Sequence, residues 1–138
     1  MSKLYNSTCY CTNLRRSANA MSEFYDSALK EAELTISQYE LLVNLSRLGK
    51  ANITHWSEQV GLDRSTMVRN IKPLQSRGLI EGAEGHGKTF TLSEKGQHAL
   101  DTATVIWQQM QEKMEQFLGK EDADAILRIG SRLQDLKD

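Results

Sequence analysis

Residues 53–92 read ITHWSEQVGLDRSTMVRNIKPLQSRGLIEGAEGHGKTFTL. The order is a short helix, a glycine turn at Gly61, a second helix of about 64–77 opened by Asp63, and a glycine-tipped hairpin over 79–92. Gly61 supplies the left-handed residue that a helix-turn-helix corner often needs. Asp63 is placed to accept hydrogen bonds from the Ser65 or Thr66 backbone and cap the second helix. Within that helix Met67, Val68, Ile71 and Leu74 share one face, which predicts burial on that side. At about 100° per residue the opposite face carries Ser65, Thr66, Arg69, Pro73 and Ser76, flanked by Asn70 and Lys72. From Arg64 to Ile80 there are four cations and no carboxylate. A helix of this length, cationic and polar outward, fits a DNA major groove. Pro73 removes a backbone bond to Arg69 and should bend or soften the last turn, and Gly78 ends the helix.

Working outward, 4–32 forms a long first helix with Cys11, Leu14, Ala18, Met21, Tyr25, Ala28 and Ala32 in a stripe spaced three and four apart. Phe24 and Leu29 widen the stripe. Ser37, with Glu40 as capping-box partner, is expected to open the next helix, which carries Tyr39, Leu41, Leu42, Leu45 and Leu48 and stops at Gly49. Thr54 is the expected cap of the short helix before Gly61. Beyond the hairpin, Ser93 opens a long helix with Ala99, Ala103, Ile106, Met110, Met114 and Phe117 on one side. Gly119 breaks it, and a last helix begins near Glu121 with Ala123, Leu127, Gly130, Leu133 and Leu136 along one side. The fold class is therefore mainly α with a small β-wing. A DNA-binding region at 35–92 is flanked by helical regions at 1–34 and 93–138. The flanking stripes are wider than the central block can cover, and a homodimer is the simplest use for them.

The 138 residues suit one domain with helical extensions. The formal net charge of −1 hides an uneven distribution: 62–92 hold five basic and three acidic groups, while 93–138 hold six and nine. DNA binding requires a basic face rather than a basic protein. The sequence has no apolar run of membrane-spanning length and no signal-peptide core at its start. Together with only two cysteines, this gives the expectation of a cytoplasmic protein with no membrane association.

The stretch GLDRSTMVRNIKPLQSRGLI, the LSEKG after the hairpin, and the helix order around them resemble the MarR (multiple antibiotic resistance regulator) family. The resemblance covers essentially the whole chain. It implies winged-helix lobes on interlocked N- and C-terminal dimerisation helices, bound to palindromic double-stranded DNA, more often as a repressor. It also implies a ligand or oxidant sensed where the dimer helices meet the DNA lobe. One departure stands out. Family wings carry an acidic residue followed by two arginines, where this chain has Glu84, Gly85 and His86, so His86 or Lys88 has to replace the minor-groove arginine.

The residues expected at DNA are Arg64, Ser65, Thr66, Arg69, Asn70, Lys72, His86 and Lys88. Arg69 suits a guanine edge or a phosphate, and Asn70 suits adenine; the hydroxyls suit phosphates. The plainer alternative is a solvated helix face. Cys9 and Cys11 point about 200° apart if both lie on a helix, which disfavours a shared metal. Cys11 heads the apolar stripe near a helix N-terminus with Arg15 one turn on, features that favour thiolate. Its spacing to Tyr25 resembles the organic-hydroperoxide-sensing branch of the family, although an arginine stands at 15 where that branch has tyrosine. The competing reading of Cys11 is a packed small residue. Tyr39, Trp56 and Trp107 are candidates either for a small aromatic effector pocket or for core.

The three histidines lie apart, and no phosphate loop, nucleophile triad or HExxH motif occurs, so neither catalytic nor metal-ligating residues nor a cofactor are expected. Two readings compete with the regulator. One is a thiol-based redox or metal-responsive protein on a winged-helix frame without strong DNA binding. The other is a helical interaction module.

Overall fold

The computed structural model describes residues 6–82 and 88–137. The expected wing tip, including Glu84, Gly85 and His86, lies outside the described residues, as do residues 1–5, which hold the expected start of the first helix.

Helix α1 spans Tyr10–Leu29 and runs into a 3-10 turn at Lys30–Ala32. Helix α2 (Ile36–Leu48), strand β1 (Ala51–Asn52), α3 (Ile53–Val60) and α4 (Arg64–Ser76) follow. Strands β2 (Ile80–Gly82) and β3 (Thr89–Leu92) precede α5 (Glu94–Leu118) and α6 (Lys120–Gln134). The sheet is antiparallel in the order β1-β3-β2, with Ala51 opposite Phe90 and Ile80 opposite Leu92. The hairpin was legible in the sequence. β1 was not, because two residues carry no periodicity.

Leu29, Leu41, Leu42, Leu45, Trp56, Met67, Leu74 and Leu79 are almost wholly excluded from solvent and centre the core on α2, α3 and α4. Trp56 anchors this centre by donating Nε1–H to the Leu41 carbonyl at 3.0 Å and packing its ring 5.9 Å from Phe90. It is therefore a core residue and lines no pocket. α6 buries none of its residues. Leu127, Leu136, Phe117 and Tyr10 are the most exposed of a large apolar surface spread over α1, α5 and α6.

Two caps differ from the sequence expectation. Thr35, not Ser37, opens α2: its hydroxyl accepts from the Gln38 N–H at 3.1 Å, and Gln38 Oε1 accepts from the Thr35 N–H at 3.0 Å. The Ile36 N–H donates to Asp26 of α1 at 2.7 Å, which ties this start to a distant residue. Asn52, not Thr54, caps α3, accepting from the His55 N–H at 2.8 Å. The strand pairing of Asn52 with Thr89 holds it in the extended conformation that a cap needs.

Candidate nucleic-acid interface

The corner between α3 and α4 forms as its residues dictate. Gly61 takes φ +83°, and its N–H donates to the Ser57 carbonyl. Asp63 then caps α4, its Oδ1 accepting from the Thr66 N–H at 2.8 Å. Met67, Ile71 and Leu74 bury one face of α4, with Val68 half-buried beside them. That burial turns Ser65, Arg69, Lys72, Pro73 and Ser76 outward, all exposed, with Asn70 half-buried at the flank. Pro73 does not stop the helix, which continues to Ser76, with Arg77 as its C-cap. The exit is a Schellman turn: Gly78 at φ +73° donates to Gln75, and Leu79 donates back to Leu74, each at 3.0 Å.

The polar residues of α4 are already connected to one another. Ser65 Oγ donates to Asp63 Oδ1 at 2.8 Å, and Thr66 Oγ1 donates to Oδ2 at 3.0 Å. These bonds, the Thr66 backbone N–H first among them, hold the Asp63 carboxyl below the usual carboxylate range. Each hydroxyl has one proton, so neither Ser65 nor Thr66 can donate to a phosphate without releasing Asp63. Arg69 Nη2 donates to Thr66 Oγ1 at 3.3 Å, a long bond at an exposed position that a base or phosphate could readily replace. Arg64 Nη1 donates to Thr54 Oγ1 at 3.0 Å, bracing α4 against α3. Thr54 thus accepts at the corner instead of capping its helix. Lys88 is exposed just before β3. The expected residues on α4 therefore share one outward surface, with Arg69 and Lys72 as its free-reaching cations.

The expected sensing residues do not converge. Cys9 is the N-cap of α1, extended at φ −72° and ψ 120°, so helical spacing from Cys11 does not describe the pair. Both thiols are free and exposed. Hydrogen bonds from the Thr12 side chain and backbone, then from the Cys11 backbone, hold the Cys9 thiol below its ordinary value. Sequence reasoning favoured Cys11 because it heads the apolar stripe. It missed that the helix starts after Cys9, which takes the N-cap position without a side-chain cap bond.

Tyr25 lies well inside, its hydroxyl donating to Gln111 Oε1 of α5, and burial pushes its phenol up. It stands four turns from the cysteines along α1. Tyr39 stacks on Trp107 at 6.0 Å between centroids. Its hydroxyl donates to Thr104 Oγ1 at 3.1 Å, while the Thr104 proton goes to the Leu100 carbonyl at 2.8 Å.

Two clefts adjoin these tyrosines and Trp107. One, of about 350 Å³, lies between α2 and α5 and is lined by Tyr39, Val43, Arg47, Leu100, Thr104 and Trp107. The other, about 780 Å³ and mainly apolar, lies among α1, α5 and α6 and includes Met21, Tyr25, Gln111 and Leu127. No set of three or more His, Cys, Asp or Glu residues is arranged to hold a metal ion among the described residues. No helix among them is long and apolar enough to cross a membrane.

Comparison with known proteins bears on this surface. The MarR family model matches residues 34–82, from the residue before the α2 cap to the end of β2. The transcriptional regulator MosR of M. tuberculosis superposes with a TM-score of 0.81 at 25% identity, covering 94% of this chain and 98% of that one. MosR in complex with DNA matches at a TM-score of 0.79 and 26% identity, covering 92% and 97%. BpsR of Bordetella bronchiseptica, whose DNA binding is regulated by 6-hydroxynicotinic acid, gives a TM-score of 0.85 at 18% identity, covering 98% and 100%. No curated protein sequence matches the chain.

Proposed function

We propose that the chain, whose residues 34–82 match the MarR family model, is a MarR-type regulator: a homodimeric, sequence-specific repressor that binds a pseudo-palindromic operator. The observation that carries this reading is the outward face of α4. Buried Met67, Ile71 and Leu74 orient it, Asp63 caps it, and Arg69 and Lys72 stand exposed on it. MosR, similar over most of its length, has been solved in complex with DNA, which supports a DNA-binding reading. In this reading Arg69 contacts a guanine edge or a phosphate, Asn70 a base, and Lys72 and Arg64 the backbone. Ser65 and Thr66 contribute chiefly through the helix N-terminus that they help Asp63 to close, and Lys88, exposed just before β3, is the candidate for the flanking groove. The apolar surfaces of α1, α5 and α6 support pairing of two copies, which sets half-sites roughly one helical turn apart.

Release follows an effector that favours a different spacing of the two α4 helices. The α2–α5 cleft, with a Tyr39–Trp107 stack and both the Glu40 carboxylate and the Arg47 cation on its lining, suits a small aromatic ligand with polar groups. Thiol oxidation at Cys9 or Cys11 is the other route, supported by the exposure of both and the lowered Cys9 thiol. That thiol also favours a second reading, a redox protein on this frame without strong DNA binding.

Selection of bound duplexes from random DNA, followed by titration, separates the readings. The regulator should show affinity that falls steeply with salt, and Arg69→Ala should weaken it by about 1–3 kcal/mol with the fold intact. Absence of duplex binding, or an unchanged affinity for Arg69→Ala, refutes the assignment. Peroxide release that persists in the variant carrying both Cys9→Ser and Cys11→Ser removes the thiol route.

A further inference from the structure

The LSEKG segment has no place in the DNA-facing surface, yet it closes on the end of α4. Three consecutive carbonyl groups follow that helix, and the start of α5 supplies a donor to each. Lys95 Nζ donates to Arg77 at 2.8 Å, Ser93 Oγ to Gly78 at 2.5 Å, and the Ser93 N–H to Leu79 at 3.1 Å. Ser93 Oγ in turn accepts from the Gly96 N–H at 2.9 Å, capping α5 with the same atom that holds α4. Gly96 admits the contact, because a Cβ there would stand 1.9 Å from the Leu79 carbonyl oxygen.

Elsewhere α4 packs chiefly on α3 and touches β2, and α5 is not among its main neighbours. These carbonyls are therefore a direct hydrogen-bonded link between the end of α4 and the longest helix among the described residues. At about 1.5 Å per residue, the 25 residues of α5 extend roughly 37 Å. They run from this joint past the Tyr39–Trp107 cleft to the apolar surface around Phe117.

We propose that Ser93, Lys95 and Gly96 form a joint that fixes the direction of α4 relative to α5. Within it Lys95 is a positioning residue that sets operator affinity without touching DNA. This rests on the DNA-binding reading above and adds the route by which a displacement of α5 reaches the groove-facing helix. Ser93 and Gly96 are buried and hold the joint shut. Lys95 is exposed and adds a charge-assisted bond to the last residue of the α4 turn.

The test uses the full chain with Lys95→Met and Lys95→Arg, titrated with the selected duplex over a range of salt concentrations, alongside amide hydrogen exchange without DNA. Lys95→Met should bind roughly fivefold more weakly, the scale of one lost hydrogen bond at an exposed site, with an unchanged slope of log affinity against log salt. Lys95→Arg, which can donate to the same carbonyl, should restore affinity. Exchange at the Arg77, Gly78 and Leu79 amides should accelerate in Lys95→Met and return in Lys95→Arg.

Three results overturn the proposal: unchanged affinity in Lys95→Met, a salt slope reduced by about one per subunit as for a lost phosphate contact, or an arginine variant as weak as the methionine one. If the wild-type chain retains no duplex, the DNA-binding reading fails and the exchange data alone judge the joint. Unaltered rates at residues 77–79 then refute it.

Discussion

Gly96→Ala is the sharpest perturbation the structure offers. Gly96 lies in the first turn of α5, where its backbone is ordinary helix, so alanine by itself should stabilise by about 0.5–1 kcal/mol. The neighbour reverses the sign. The added Cβ would meet the Leu79 carbonyl oxygen at 1.9 Å, its carbon at 2.8 Å and the Leu79 Cα at 3.3 Å. A close carbon–oxygen contact needs about 3.3 Å, so the two backbones must part by roughly 1.4 Å. Neither atom belongs to a flexible side chain. Such a separation breaks the Ser93 bonds to Gly78 and Leu79, at about 1 kcal/mol each. It also strains the packing of buried Leu79 by about 1–3 kcal/mol.

The net loss is about 2–4 kcal/mol. Urea unfolding at fixed chain concentration, followed by circular dichroism, measures it by linear extrapolation. Ser93→Ala removes the hydroxyl without adding an atom and should cost less, about 1–2 kcal/mol. A loss below about 0.5 kcal/mol for Gly96→Ala, or a larger loss for Ser93→Ala, refutes overlap as the reason for glycine here.

Trp56→Ala should cost about 3–5 kcal/mol in the same assay, because it empties the centre of the core and removes the bond to Leu41. The Asp63 carboxyl sits below its ordinary value through its bonds to Thr66 and Ser65. Its capping contribution is therefore complete above about pH 4, the unfolded carboxylate range, and is lost as pH falls through the depressed value. The α4 amide resonances should show this loss, and Asp63→Asn should be flat over that window. Leu133→Glu, on the exposed apolar side of α6, should halve the mass seen by light scattering. A mass unchanged from wild type places the proposed dimer contact elsewhere.

Local chemistry made the helix-turn-helix legible. Gly61, Asp63 and Gly78 each act within a few residues of their own position, as does Ser93 in capping α5, and each behaves there as its residue type dictates. The sequence misled where two local solutions compete. Both Thr35 with Gln38 and Ser37 with Glu40 satisfy the capping-box pattern, and the choice rests on Asp26, ten residues before the Ile36 it holds. At α3 the tie is broken by β1 pairing with β3 and by Arg64 engaging Thr54.

The candidate interface was readable as a face but not as a network. Spacing puts Ser65 and Thr66 outward, and only coordinates reveal that their protons go to Asp63. The close approach at Gly96 was likewise hidden, because LSEKG already has a sufficient local explanation as a helix start.

The two exposed surfaces of the chain differ in what they require of their surroundings. The α4 face is exposed, polar and cationic, and water satisfies it. A DNA partner therefore competes with solvent, and binding there can be reversible and salt-dependent. The α6 face is exposed and apolar, on a helix of fifteen residues that buries none of them. Helices of that length are marginal in water by themselves and draw stability from tertiary packing. Within the chain α6 packs on α5 but leaves its apolar side open, so in the proposed dimer pairing supplies the rest of that packing. α5 carries that apolar surface at one end and the Ser93–Gly96 contact at the other. If two copies pair as proposed, a change in how they meet would alter the direction of α4 through a helix anchored at both ends. In that proposal an effector bound along α5 need make no contact with the outward residues of α4 to change their affinity for DNA.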